Sequence, residues 1–359
     1  MRILIVDDSA VMRSLIRAVV CSDDSLQVAG TAADGESALH AVESLQPDLI
    51  LLDIDMPVKD GLSTLRELRA RGHRGPVIMC SSLTQRGARV TIEALACGAS
   101  DYVTKPSGQA GREEGIRTLA RDLIPKIKAL TRSSALEAGP KPAPVLPMGF
   151  AGDELPGGES CPKVVAIGVS TGGPAALEMV LPALPDWFPL PVLVVQHMPE
   201  LFTALLAERL NERCHLEVRE AAEGDQVRAG NIFVARGNWH MEVLAAASAG
   251  AAPTLHLTQG PPENHCRPAV DVLFRSAATA YGSGVLAAVL TGMGSDGLAG
   301  CRLLRAAGST VLAQDRATSA VWGMPGAVTT AGLANRVLSL DGVAPEIVRL
   351  AAGSVQRTA

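Results

Sequence analysis

Ile3-Leu4-Ile5-Val6-Asp7-Asp8 is a short apolar run that stops abruptly at two carboxylates. Leu49-Ile50-Leu51-Leu52-Asp53 repeats the arrangement, Val77-Ile78-Met79-Cys80 leads into Ser81, and Tyr102-Val103-Thr104 leads into Lys105. Unbroken apolar runs of this length suit strands buried on both faces, which is the condition of a parallel sheet. Helical patterns such as Gly35–Leu45 and Leu62–Arg71 lie between them and end at Pro or Gly. The alternation predicts an α/β domain over residues 1–130, with helices on both faces of the sheet.

Working outward, periodicity stops from about Thr131 to Ser160, where Pro140, Pro142, Pro144, Pro147 and Pro156 mix with Gly149, Gly152, Gly157 and Gly158. Residues 131–160 therefore read as a flexible Pro/Gly-rich linker. Alternation resumes over 161–350: strand Lys163–Val169, helix Gly173–Leu184, strand Pro191–Gln196, then helix Pro268–Tyr281, strand Val285–Thr291, a helix around Leu298–Ala307 and strand Thr310–Gln314. Between these, Val218–Leu257 is broken by Gly224-Asp225, Gly230 and Gly237-Asn238, and reads as antiparallel strands or hairpins added to the sheet. The expectation is a second doubly wound, mainly parallel α/β domain with an antiparallel addition.

With 359 residues, 47% of them hydrophobic, the chain can build two full cores. A net charge of −5 and 3% aromatic residues give no basic or base-stacking surface, so nucleic acid is not an expected partner. Seven scattered cysteines without a C-x-x-C pair argue against a disulfide framework or zinc finger. No leader pattern or long uncharged apolar run is present, so a cytoplasmic location without direct membrane insertion is expected.

Asp7, Asp8 and Asp53 fall at carboxyl ends of predicted parallel strands, where ligands collect. Crowded carboxylates attract a hard cation such as Mg²⁺. Asp53 can then attack a phosphoryl group, Lys105 can pair with the phosphoryl oxygens, and Ser81 can offer its hydroxyl.

In the second domain, Gly168-Val-Ser170-Thr-Gly172-Gly-Pro174 closes a strand and opens a helix, and it contains Gly-x-Ser-x-Gly. The next strand delivers His197, a natural general base near its ordinary pKa of about 6.5. Thr291-Gly-Met293-Gly-Ser-Asp296 brings Asp296 to the same edge, where it can orient the imidazole. The glycines around Met293 suit a loop that presents N–H groups to an oxyanion. The order Ser, His, Asp differs from that of α/β-hydrolases, and Asp315 is a second choice for the acid. His240 is a possible neighbour of the site. His40, His73, His215 and His265 have no carboxylate or cysteine partner at metal-ligand spacing, so the serine site is expected to need no cofactor.

Residues 1–130 resemble the receiver domain of two-component response regulators, through Asp7-Asp8, Asp53-Ile-Asp-Met-Pro57, Asp60-Gly61, Ser81-Ser82 and Tyr102-Val-Thr-Lys105-Pro106. The resemblance implies a flavodoxin-like strand order, 2-1-3-4-5, and Asp53 as the phosphoacceptor. It also implies Mg²⁺ held by Asp8, Asp53 and the backbone carbonyl of Asp55 with help from Asp7, and Tyr102 as an aromatic switch. Residues 161–350 are similar to the catalytic domain of the chemotaxis receptor methylesterases, the CheB family. The matching stretches are Ile167–Pro174, Gln196-His197-Met198-Pro199, His240-Met241, Arg267-Pro268-Ala-Val-Asp271, Leu290–Gly297 and Gly323-Met324-Pro325. This implies Ser170 as nucleophile, His197 as base, Asp296 as orienting acid, Thr171 lining the site and the Met293 N–H in the oxyanion hole. The implied substrates are glutamate γ-methyl esters of chemoreceptors, with glutamine deamidation as a second activity and a chemotaxis histidine kinase as phosphodonor. The receiver is expected to cover the catalytic face until Asp53 is phosphorylated. Arg236, Arg316 and Lys59 stand where the family usually has Pro, Glu and Met.

Two other readings remain: a receptor-binding adaptor or phosphate sink without hydrolysis, or the same esterase chemistry on a target outside chemotaxis. A transcription factor is disfavoured, because no helix-turn-helix signal is present.

Overall fold

A computed structural model of the chain describes residues 1–106, 111–137, 161–248 and 250–355. The chain divides into two compact units, Met1–Ser134 and Ala135–Ala359.

The first unit alternates β1 (Arg2–Val6), α1 (Ala10–Val20), β2 (Gln27–Ala32), α2 (Gly35–Leu45), β3 (Leu49–Asp53), α3 (Gly61–Ala70), β4 (Val77–Ser81), α4 (Gln85–Ala96), β5 (Asp101–Thr104) and α5 (Arg112–Glu137). The strands form a parallel sheet in the order β2-β1-β3-β4-β5. Every residue of β3 and β4 is buried, which is why these strands read as unbroken apolar runs. Side chains start the helices: Ser9, Asp34, Asp60 and Thr84 each accept a backbone N–H from the first turn of α1 to α4. The register sets Val6 beside Leu52, Asp53 beside Cys80 and Ser81 beside Thr104. Asp7, Asp53, Ser81 and Lys105 therefore fall along one edge.

Helix α5 differs from the sequence expectation. It runs to Glu137, beyond the Thr131 at which the linker was placed. Leu119, Leu123, Ile127 and Leu130 recur at helical spacing and are all buried, which anchors the helix up to the expected boundary. The rest of the expected linker, 138–160, lies outside the described residues.

The second unit contains β6 (Val164–Val169), α6 (Gly173–Val180), β7 (Val192–Gln196), α7 (Glu200–Asn211), β8 (Glu217–Glu220), β9 (Asn231–Val234), β10 (His240–Leu244) and β11 (Thr254–Thr258). It continues with α8 (Val270–Tyr281), β12 (Val285–Val289), α9 (Leu298–Ala306), β13 (Thr310–Gln314), α10 (Met324–Thr330), β14 (Arg336–Leu338) and α11 (Leu340–Val355). Its parallel sheet has the order β14-β13-β12-β6-β7-β9-β8. Within Val218–Leu257 only the later part is antiparallel: β10 and β11 pair as a separate ribbon, whereas β8 and β9 extend the main sheet in parallel. The Gly breaks gave a turn signal but not the strand direction. Val164, Ala166, Leu193, Phe233, Val270, Phe274 and Val289 belong to one buried cluster between sheet and helices. No helix among the described residues is long and apolar enough to cross a membrane.

Strand β6 is where the sheet reverses direction of growth. The chain first adds β7 on one side and later β12 on the other. In open α/β sheets ligands collect at the carboxyl end of such a point. In the first unit the corresponding point lies between β1 and β3, and there α3 must start close to β3. A Cβ on Gly61 would lie 1.9 Å from the Asp53 carbonyl oxygen. Gly61→Ala is therefore expected to lower the unfolding free energy of the first unit by about 1–3 kcal/mol through overpacking. Urea unfolding of the variant beside the parent checks this.

Candidate active site

At the carboxyl edge of the first sheet, Asp7 and Asp53 are buried and Asp8 is exposed. The Lys105 ammonium lies 2.7 Å from Asp7 Oδ2 and 2.6 Å from Asp53 Oδ1. Burial raises the Asp53 carboxyl to about 6 despite the counteracting Lys105 ammonium. Burial also presses on Lys105, but its bonds to Asp53 and Asp7 prevail and hold it above the ordinary lysine value. Oxygens of Asp7, Asp8 and Asp53 lie within 4.8 Å of one another. Asp7 Oδ2 is buried with no hydrogen bond apart from its ammonium contact. An all-oxygen set of three carboxylates, with a single ammonium shared between two of them, fits a hard divalent cation.

The other residues expected in this site are placed as follows. The Ser81 hydroxyl accepts from Thr91 Oγ1 at 2.7 Å and is directed to the Ser82 carbonyl at 3.2 Å. Tyr102 is buried, with the Lys126 ammonium 5.0 Å from its ring centroid. The side chain of Asp55 is exposed.

In the second sheet Ser170 follows the central strand β6. Its N–H donates to the Thr291 carbonyl beyond β12 at 3.0 Å, and its carbonyl accepts from Gln196 Nε2 of β7 at 3.1 Å. His197 follows β7, and its N–H donates to the Val169 carbonyl at 3.3 Å. The serine is thus fixed between two neighbouring strand ends. Gly292 passes so near that a Cβ on it would lie 2.9 Å from Ser170 Cβ, so only glycine admits this approach. Thr171 is buried and its carbonyl accepts from Thr291 Oγ1 at 2.9 Å. Met293 is exposed on the following loop.

Asp296 is the most heavily bonded group of the site. Its Oδ2 lies 2.8 Å from His197 Nε2 and accepts the Val270 N–H at 2.7 Å. Its Oδ1 accepts from Asn264 Nδ2, Asp271 N and Gly297 N at 2.9, 3.0 and 3.0 Å. Val270 and Asp271 open α8, whose own N-cap, Ala269, has no capping side chain. Asp296 therefore caps α8 from a distant loop, where the helix dipole also favours an anion. Burial opposes ionisation, but the bonds from His197, Val270 and Asp271 hold the carboxyl below the usual range.

His197 departs from its expected ordinary titration. Burial pushes its pKa down, yet the bonds to Asp296 and to Cys266 outweigh this and raise it to about 9. The Asp296 carboxylate thus favours the protonated ring. Its other nitrogen, Nδ1, faces Cys266 Sγ at 3.5 Å, and among the described residues the Ser170 hydroxyl has no hydrogen-bond partner. The structure thus brings His197 to Asp296 and Ser170 to the same edge, without a Ser170–His197 hydrogen bond. Such bonds often tighten only with substrate present.

Other expectations resolve differently. Asp315 binds the Thr318 N–H and hydroxyl at 2.9 and 2.6 Å and so shapes its own turn. His240 is buried; it meets the Pro261 carbonyl through Nε2 at 3.0 Å and accepts the Ala269 N–H through Nδ1 at 3.2 Å, tying down the chain before α8. Sequence reasoning missed Asn264, which bridges Asp271 and Asp296 at 3.0 and 2.9 Å. It also missed Cys266, which carried no pairing signal.

Removing the Asp296 carboxylate strands several buried backbone and side-chain donors and a buried imidazole. Asp296→Ala is expected to cost about 3–5 kcal/mol of stability in the second unit, whereas Ser170→Ala, which removes an unbonded hydroxyl, is expected to change it by less than about 1 kcal/mol. Denaturant titration of both variants checks the contrast.

Comparisons with known proteins agree with this architecture. The family model described as CheB methylesterase matches residues 165–347, and that of the response regulator receiver domain matches residues 3–114. A protein-glutamate methylesterase/protein-glutamine glutaminase of Nocardioides sp. is 48% identical over 353 residues, spanning 97% of this chain and 94% of its own length. Another from Trichodesmium erythraeum is 44% identical over 348 residues, spanning 97% of this chain and 98% of its own. The crystal structure of the Thermotoga maritima CheB methylesterase catalytic domain superposes with a TM-score of 0.51 at 39% identity, covering 53% of this chain and 100% of that domain. A serine edge of this build, preceded by a receiver and matched along nearly the whole sequence, places the chain in the CheB methylesterase family.

Proposed function

We propose that this chain hydrolyses γ-methyl esters of glutamates on methyl-accepting chemotaxis receptors, releases methanol, and deamidates receptor glutamines at the same site. It is a protein-glutamate methylesterase/protein-glutamine glutaminase acting in sensory adaptation. The observation that carries the residue assignment is the Asp296–His197 pair at 2.8 Å on the sheet edge where Ser170 is clamped between β7 and β12.

In this reading Ser170 Oγ attacks the ester carbonyl while its proton passes to His197 Nδ1, the nitrogen that Asp296 leaves free. The Met293 N–H faces the developing oxyanion and Thr171 lines the pocket. His197 returns the proton to the departing methoxide, so methanol leaves, and water then releases the acyl group by the same exchange. Glutamine follows the same course with ammonia departing.

Asp53 is the phosphoacceptor, and a chemotaxis histidine kinase is the donor. Asp8, Asp53, the Asp55 carbonyl and Asp7 would hold Mg²⁺, which supplies charge neutralisation for the phosphoryl oxygens when bound. Lys105, already on Asp53, would pair with a phosphoryl oxygen. Ser81 would exchange Thr91 for the phosphoryl group, and Tyr102 would respond as the aromatic switch. Phosphorylation raises esterase activity roughly 5–150-fold for a coupling of about 1–3 kcal/mol.

Methanol release from methylated receptor membranes, with and without Mg²⁺ and a small-molecule phosphodonor, tests the reading. Parent protein is expected to show stimulated release, Asp53→Asn an unstimulated basal rate, and Ser170→Ala no release with phosphorylation intact. Stimulation that survives in Asp53→Asn would remove the gating assignment, and release by Ser170→Ala would remove the nucleophile. Because only neutral His197 can take the serine proton and its pKa is raised to about 9, kcat/KM is expected to climb from pH 7 toward 9. A profile already flat at pH 7 would contradict that.

A further inference from the structure

Cys266 sits where the proposed proton acceptor faces. Its sulfur is 3.5 Å from His197 Nδ1, and the opposite ring nitrogen is held 2.8 Å from Asp296. Sulfur, imidazole and carboxylate thus run in series, the order in which a thiol is activated for nucleophilic chemistry. The placement is not casual. Glu263 and Cys266 exchange backbone hydrogen bonds of 3.1 and 2.8 Å, Glu263 is paired with Arg275 at 2.6 Å, and Asn264 is bonded to both Asp271 and Asp296. Cys266 is also partly accessible. Cys80 and Cys301 are buried, and burial pushes the Cys80 thiol up to about 12 and Cys301 higher still. Burial likewise lifts Cys214 to about 11.

We propose that Cys266 is a modification site through which peroxide reversibly switches the esterase off. The proton shared between His197 Nδ1 and the Cys266 sulfur stays on the ring as the sulfur attacks, so the reacting form is the thiolate. The thiolate attacks one oxygen of hydrogen peroxide: an S–O bond forms, the O–O bond breaks, and the departing hydroxide takes the imidazolium proton and leaves as water. Sulfur is oxidised by two electrons to a sulfenic acid, and the peroxide is reduced. The new S–OH occupies His197 Nδ1, which can then no longer receive the Ser170 proton. A thiol reductant restores the site, because a sulfenic acid is reducible. The loss of activity rests on the esterase reading given above, whereas the reactivity of Cys266 rests on the thiol–imidazole geometry alone.

The full-length protein is treated with hydrogen peroxide, then assayed for methanol release before and after dithiothreitol, while a parallel sample is trapped with dimedone and mapped by peptide mass spectrometry. The expected result is at least tenfold loss of activity, recovery with dithiothreitol, and dimedone on Cys266 ahead of the other cysteines. Cys266→Ala is expected to keep whatever rate it has through the same treatment. Should that variant have no rate, labelling decides: iodoacetamide should modify Cys266 at least tenfold more slowly in His197→Gln than in the parent. Equal labelling in the two proteins, or dimedone absent from Cys266, overturns the proposal even if the esterase assay behaves as proposed. Loss of activity that dithiothreitol fails to reverse, or that Cys266→Ala suffers equally, also overturns it and directs attention to sulfoxide at the exposed Met293. Specific Cys266 labelling with no hydrolysis in any sample would leave the reactive thiol standing and remove the esterase reading instead.

Discussion

A buried negative charge organises the second unit. Asp296 is almost wholly removed from solvent, and an isolated carboxylate there would cost several kcal/mol. Donors from four separate places offset that cost: the start of α8, the turn at Asn264, its own following glycine and His197. None of these can shift without exposing the others to an unmet charge. The same carboxylate therefore fixes where α8 begins, how the 264–266 turn lies against the sheet and which nitrogen the imidazole presents.

The first unit handles its acidic edge differently. Its carboxylates are crowded and only partly neutralised, with one lysine shared between Asp7 and Asp53. Asp53 consequently rises to about 6, because burial is not repaid by a full set of donors. One edge is saturated with hydrogen bonds and holds an imidazole in one orientation. The other is left short of positive charge, the condition for accepting a cation and a phosphoryl group. Both edges are products of one topology, in which parallel strands deliver their carboxyl ends to a common rim.

Much of this was legible in the sequence because apolar strands end on polar residues. Ile3–Val6, Leu49–Leu52 and Val192–Gln196 are runs that only a strand buried on both faces explains, so Asp7, Asp53 and His197 could be placed at one end of each. What stayed hidden depends on packing between segments distant in sequence. Asn264 and Cys266 lie in a turn without a periodic pattern, and nothing in their spacing points to Asp296 or His197. The titration of His197 was also hidden, since it depends on which groups surround the ring, not on the residue type. Asp315 shows the converse. It stands at a strand end as Asp296 nearly does, but a nearby threonine claims its carboxylate. Helix α5 runs past its expected end, and no apolar spacing or breaker between Thr131 and Glu137 marks where it stops.

The flanking of β6 by β7 and β12 bears on the order in which the molecule comes into being. His197 and Asp296 are 99 residues apart, and β12 can dock on β6 only after the intervening strands and α8 have been made. Contacts of such sequence separation form late, after the loop-closure entropy has been met. The first unit closes within its own 134 residues and, since domains fold as units with the N-terminal one first during synthesis, precedes it. A ribosome-bound chain therefore carries a finished Asp7–Asp53–Lys105 edge before the edge of Ser170, His197 and Asp296 is complete.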